Sequence, residues 1–212
     1  ILSISLPVNN QILQKVLKPG AARNALDCAL WDLEAKKKGK PVWQLLNLKE
    51  PKPTITAYTI SLSNPEKMMK DAKSKSDYPI LKIKLGGQDD EKCIKAVREG
   101  SPNSRIIVDA NEGWNIESYN YLVPIFKSIG VELIEQPFPS NKDHLLKNLD
   151  RKIPICADES CHDVKSLEKL MGLYDYINIK LDKTGGLTEA INLLQAAKKS
   201  GFKIMLGCMV GT

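Results

Sequence analysis

The 212 residues are 42% hydrophobic and 26% charged, with 31 basic against 25 acidic side chains, which suits one globular core or a core with part of a second domain. No run approaches the ~20 apolar residues of a membrane span and no charged start leads into a signal core; the lysines are interleaved with acids, so the reading is a cytoplasmic protein with no membrane and no nucleic acid as partner. Two histidines, five cysteines without a CxxC pair, and the absence of GxSxG or GxxxxGK[ST] argue against histidine-built zinc sites, Ser-His-Asp triads and P-loop chemistry, and leave reduced, mostly buried thiols.

In chain order, Ala22, Ala25, Leu26, Ala29, Leu30 and Leu33 fall on one face of a helix that stops at Gly39 before Pro41. Its last turn carries Lys36-Lys37-Lys38, where cations suit the macrodipole. Residues 1–50 are expected to be the C-terminal helical part of another domain, joined through Glu50-Pro51-Lys52-Pro53 to a catalytic domain over 51–212. From there β-rich runs at 54–62, 80–85, 105–111, 132–136, 153–158, 176–181 and 203–209 alternate with helical patterns at 65–74, 89–99, 117–129, 163–171 and 187–200. Asn64-Pro65 reads as a helix start, and Gly100, Gly130 and Gly201 as helix stops. The repeat of roughly 25 residues is that of a βα unit, and seven strands with helices between them imply a parallel sheet. Polar residues end almost every strand and no glycine-rich turn follows the first, which favours a (β/α) barrel over a doubly wound sheet. A whole barrel takes ~250 residues. With Ile1 at the start and an apolar run leading straight to Thr212, the sequence reads as an internal piece of a longer enzyme.

The strand ends carry the chemistry. Alternation puts Lys82 and Lys84 on one face, pointing into a barrel mouth if Ile83 and Leu85 face the helices; two close ammonium groups would lower the pKa of at least one. An edge strand with solvated lysines is the alternative. The next three runs end in Asp109, Glu135 and Asp158. Three carboxylates converging on one rim call for a cation, and an oxygen-only set suits Mg²⁺; separate helix-capping roles are the alternative. The sixth run would place Asn178, Lys180 and Asp182 on the interior face, and strands two and six lie opposite in an eight-stranded barrel. A cation that stabilises an enediolate, with lysines on its two faces, describes epimerisation or racemisation next to a carboxylate. Trp114, in the loop after Asp109, either touches substrate or packs; Cys208 and Met209 either line the pocket or are buried. Met68, Met69 and Met171 read as core filler.

The order and spacing of Lys82/Lys84, Asp109/Asn111, Glu135-Gln136-Pro137 and Asp158-Glu159, together with Ala21 to Asp27 and Ala29 to Leu33, resemble the enolase superfamily in its muconate-lactonizing subgroup. The resemblance implies an α+β capping domain over a (β/α)7β TIM-like barrel, here incomplete with seven strands present. It implies Mg²⁺ on Asp109, Glu135 and Asp158, with Asn111 and Glu159 supporting them, and an acid/base pair at Lys84 and Lys180. Lys82 would position the substrate carboxylate and depress the pKa of Lys84. Residues 179–187 and Gly207-Cys208-Met209 look most like dipeptide epimerases of the L-Ala-D/L-Glu type, isomerases that act in murein peptide recycling. On that likeness Thr59, Asp182, Cys208 and Met209 are expected to contact a dipeptide. The paired-aspartate motif of the family's eighth strand lies outside this sequence. Three other readings remain: an N-acylamino acid racemase or o-succinylbenzoate synthase of the same subgroup, a lyase forming a Schiff base at Lys180, and a catalytically incompetent barrel fragment. Homo-oligomerisation is left open.

Overall fold

The expected β/α rhythm is present in a computed structural model of the protein, which describes residues 9–209. The strands are β1 (Tyr58–Ile60), β2 (Ile80–Lys84), β3 (Arg105–Asp109), β4 (Val131–Glu135), β5 (Ile155–Ala157), β6 (Tyr176–Ile179) and β7 (Lys203–Leu206). They form one sheet in chain order, and every pair from β1 to β6 is parallel. A doubly wound sheet reverses its order at a switch point; this one does not, so barrel-type winding stands. No described helix is long and apolar enough to cross a membrane.

The chain clusters into two compact units whose boundary passes through β6. The first consists of Thr54–Ser160 and Lys169–Ile177. Its helices are α4 (Pro65–Ser74), α5 (Asp90–Gly100) and α6 (Ile116–Ile129). Side chains of Asn64 and Asn115 cap α4 and α6, accepting from the amides of Lys67 and Ser118, and Gly130 ends α6 in the left-handed conformation at φ 85°. Alternation along the strands is kept: Leu81, Ile83, Ile106, Val108 and Ile134 are buried with Met68, Ile94, Val97 and Phe126 of the helices, which leaves the intervening strand residues for the opposite face. Trp114 packs edge-on to Phe126 and donates its indole N–H to Asp90 at 2.7 Å, so packing is its role.

Several boundaries differ from expectation. Between β4 and β5 the chain forms a 3₁₀ helix, Ser140–Asn148, because this short polar stretch between Pro139 and Pro154 offers too few apolar side chains for an α-helical stripe. The helix expected at 163–171 is split into a 3₁₀ turn, Val164–Ser166, closed by a capping box with Asp163, and the single turn α7 (Leu167–Leu170). Met171 then falls outside the helix and is 53% exposed, not core. Gly100 is the last residue of α5, not a stop beyond it. A β-carbon there would stand 2.4 Å from the carbonyl oxygen of Met69 in α4. Helix propensity favours alanine over glycine by ~1 kcal/mol, but the clash is with backbone. Gly100→Ala is therefore expected to destabilise by about 1–3 kcal/mol in denaturant titrations; a rise in stability would show that α4 and α5 do not approach this closely.

The second unit contains the described chain up to Pro53, Cys161–Glu168 and the chain from Asn178. Its helices are α1 (Asn10–Val16), α2 (Ala21–Lys38), α3 (Val42–Leu45), α8 (Leu181–Thr184) and α9 (Leu187–Lys199). As expected, α2 ends at Gly39, φ 61°. Its buried face differs: Arg23 and Asp27 are buried, while Ala22, Ala25, Ala29 and Leu33 are exposed. The cause is the neighbour, for α2 lies against the turns after Lys180, whose backbone groups require polar partners.

Candidate metal centre and its lysines

Strand register builds the first half of the site. Lys84 of β2 pairs with Asp109 of β3, Asp109 with Glu135 of β4, and Glu135 with Cys156 of β5. Residues in one row of a parallel sheet project to one side, and Asp158, two residues beyond Cys156, projects to that side too. The result is a cluster in which Asp109, Glu135 and Asp158 each offer an oxygen within 4.8 Å of the others, at 0%, 1% and 2% exposure. Asp109 accepts from the Asn111 amide at 3.0 Å and meets both lysines, so it serves the cluster and not a helix terminus.

Lys82 is buried and reaches into the cluster, with Nζ 2.6 Å from Glu135 and 2.9 Å from Asp109. The edge-strand reading is thereby set aside: β2 lies between β1 and β3. Burial disfavours the Lys82 ammonium, but the Glu135 and Asp109 carboxylates outweigh that cost and raise its pKa above the ordinary lysine value. Neighbouring-lysine repulsion does not decide its charge. Lys84 Nζ lies 2.7 Å from Asp109 and 2.9 Å from the Asn111 side-chain oxygen. Asn111 in turn donates to Glu159 at 3.3 Å, joining the two residues expected to support the ligands. Desolvation, and then the charge of Asp109, push the Glu135 carboxyl up to about 7. Three buried carboxylates of this kind fit a hard divalent cation, which relieves their repulsion with the donor type that Mg²⁺ takes. The loops leaving the rim are strained: Asn111, Glu112 and Gln136 all have positive φ (44°, 64° and 35°).

Gln136 was visible in the sequence only as part of a motif. Its buried side-chain oxygen accepts from the amides of Asp158, at 2.8 Å, and Ser160, at 3.2 Å, while its nitrogen donates to the Phe138 carbonyl at 3.0 Å. The same nitrogen lies 3.0 Å from the Tyr174 hydroxyl, which donates to Asp143 at 2.6 Å. This polar network ties the loop after β4 to the residue that supplies the third carboxylate. Asp143, Ser160 and Tyr174 gave no signal, because nothing in their spacing relates them.

The remaining expected residues are placed unevenly. Thr59 is exposed in the middle of β1 and pairs in register with Lys82, hence on the same face. Lys180 is buried and belongs to the second unit, where it follows β6 and forms the N-cap of α8. The strand stops at Ile179, so alternation does not extend to Asp182; that residue lies in α8 and accepts from the Asn24 side chain at 3.1 Å. Cys208 and Met209 follow the end of β7 and are exposed, which corrects the buried-thiol reading of Cys208. All five cysteines are free, and Cys93, Cys156 and Cys161 are buried.

Residues 66–212 match the family model for the enolase C-terminal domain-like fold, and residues 7–47 that for the mandelate racemase / muconate lactonizing enzyme N-terminal domain. The chain belongs to the enolase superfamily. Within it, the chain is 46% identical over 200 residues to an N-acetyl-D-glutamate racemase from a Pseudoalteromonas species, and 44% identical over 202 residues to the L-Ala-D/L-Glu epimerase of Escherichia coli K12. Each alignment takes in 94% of this chain and 63% of the relative. A crystal structure of an enolase family member from Agrobacterium tumefaciens with homology to dipeptide epimerases, holding sodium and L-Ala-L-Glu, superposes with a TM-score of 0.93 at 50% identity over 97% of this chain and 63% of that one. This superfamily member therefore spans about 63% of the length of the relatives it matches.

Proposed function

We propose that this chain carries the acid/base centre of a Mg²⁺-dependent epimerase that moves the proton α to the carboxylate of an N-acylated amino acid, the C-terminal glutamate of an Ala-Glu dipeptide foremost. The observation that carries this reading is the buried carboxylate trio with the Lys84 amine 2.7 Å from one of its members. Asp109, Glu135 and Asp158 would hold the cation, which when bound supplies positive charge to a substrate carboxylate whose α-carbon is losing a proton. Lys82 adds a fixed positive charge at the same place and orients that carboxylate. Lys84 takes or returns the proton on one face of the α-carbon and Lys180 on the other, so that loss from one side and return from the other inverts the centre. Thr59, on the Lys82 face, and the exposed Cys208 and Met209 after β7 supply contacts to the rest of the molecule. Both named relatives act on a glutamate, and acetylation or peptide linkage each removes the charge from its nitrogen. That shared feature supports N-acylglutamate as the substrate class. Five free thiols support a cytoplasmic setting.

The test follows the α-proton in deuterated water by NMR, with the complete polypeptide encoded by the gene and L-Ala-L-Glu or N-acetyl-glutamate. Exchange accompanied by inversion, lost with a chelator and restored by Mg²⁺, is the expected result. No exchange of either compound at saturating Mg²⁺ would overturn the reading.

A further inference from the structure

We propose that helix α2 belongs to the catalytic apparatus, with Arg23 and Asp27 as positioning residues for Lys180. The inference rests on the acid/base role just given to Lys180. The two charges lie one turn apart on α2 and are 5% and 0% exposed. Each is matched to a helix end in the segment that begins at Lys180. Arg23 donates Nη2 to the Thr184 carbonyl at 2.6 Å and Nε to the Gly185 carbonyl at 2.9 Å, the acceptors at the C-terminus of α8. A guanidinium there satisfies carbonyls that have no partner within the helix and complements the local negative potential. Asp27 does the converse at the start of α9. The N-cap of that helix is Gly186, which has no side chain to offer. Asp27 takes its place across 161 residues of sequence, accepting from the Thr188 amide at 2.9 Å and the Thr188 hydroxyl at 2.7 Å.

The fit leaves no slack. A β-carbon on Gly185 would stand 2.6 Å from Nε of Arg23, and one on Gly186 2.5 Å from Cβ of Asp27, and both glycines have positive φ. Asn24 adds a third tie from α2, to Asp182 in α8. Lys180 is joined to this held segment by a single turn, since its carbonyl accepts from the Thr184 amide at 3.1 Å. Buried charges satisfied this completely are costly to assemble, and a helix needs neither for its own stability. Their effect is to fix the backbone from which the Lys180 side chain projects.

Two conservative variants test this in the complete polypeptide: Arg23→Lys, which keeps the charge and loses the fork, and Asp27→Asn, which keeps the shape. Deuterium uptake is measured separately from L-Ala-L-Glu and L-Ala-D-Glu, with Lys180→Ala identifying the epimer whose exchange depends on Lys180. For that epimer the variants are expected to slow exchange by at least tenfold; for the other, exchange should stay within threefold and Mg²⁺ affinity should not change. Equal losses from both epimers, or none, would overturn the proposal. A second readout does not depend on turnover. Acylation of Lys180 by acetic anhydride, followed by peptide mass spectrometry, should run at least threefold faster in the variants, with Lys84 labelled as in the parent. An unchanged Lys180 rate would overturn the proposal even if the parent exchanged neither dipeptide, the result that would instead refute the assigned reaction.

Discussion

Alanine at Lys180 is expected to abolish inversion in both directions while leaving deuterium uptake from one epimer close to the parent rate. With two bases, the epimer that presents its proton to Lys84 can still lose it to Lys84 and regain deuterium from the same amine after solvent exchange. Inversion needs delivery from the other side, where the group has been removed. Lys84→Ala should show the mirror pattern, retaining uptake from the opposite epimer. A positioned general acid or base contributes about 10²–10⁴-fold, so inversion should fall by at least that range in either variant. Neither substitution should unfold the protein. Lys84 is partly exposed, and Asp109 keeps its contact with Lys82 at 2.9 Å when Lys84 is gone. The measurement is NMR or mass-resolved uptake from each pure epimer. If either variant still inverts at the parent rate, the two-base mechanism is wrong.

The sequence showed the part of this site that one strand can encode. Asp109, Glu135 and Asp158 each close an apolar β-run, and Lys82 and Lys84 alternate with Ile83 and Leu85. Period-2 geometry and βα register then suffice to bring them to one rim. What remained hidden depends on partners remote in sequence. The buried face of α2 was expected to be its alanine and leucine stripe, yet Arg23 and Asp27 occupy it because their partners are backbone groups 161 and 162 residues away. The Gln136 network escaped for the same reason, since it joins residues from three separate loops. The sequence extends the sixth strand too far because its apolar/polar alternation runs on through Lys180 to Leu181; Gly185 and Gly186, which allow α8 to turn under Arg23, carry the missing signal.

Asp109→Asn is expected to have the broadest consequence of any single change at the rim. One oxygen of Asp109 serves Lys82 at 2.9 Å and Lys84 at 2.7 Å, and the other accepts from the Asn111 amide at 3.0 Å. An amide of the same shape keeps the last contact and loses the charge that both ammonium groups face. Removing one partner of a buried ion pair costs about 3–5 kcal/mol when the other is stranded. Lys82 is not stranded, because Glu135 holds it at 2.6 Å, and loss of Asp109 also relieves the repulsion that helps push Glu135 up to about 7. The cation-free variant should therefore lose only about 1–2 kcal/mol, below the full penalty. The cation-dependent part of stability behaves differently. In the parent, Mg²⁺ at a hundred times its Kd should add about 2.7 kcal/mol, or roughly 5–10 °C in Tm for a chain of this size. With two carboxylates remaining and Lys82 still beside one of them, that increment should vanish in Asp109→Asn, and exchange from both epimers should vanish with it. The lysine variants should keep the Mg²⁺-dependent rise in Tm. Thermal melts with chelator and with Mg²⁺ separate these outcomes, and a full Mg²⁺ shift in Asp109→Asn would remove Asp109 from the metal centre.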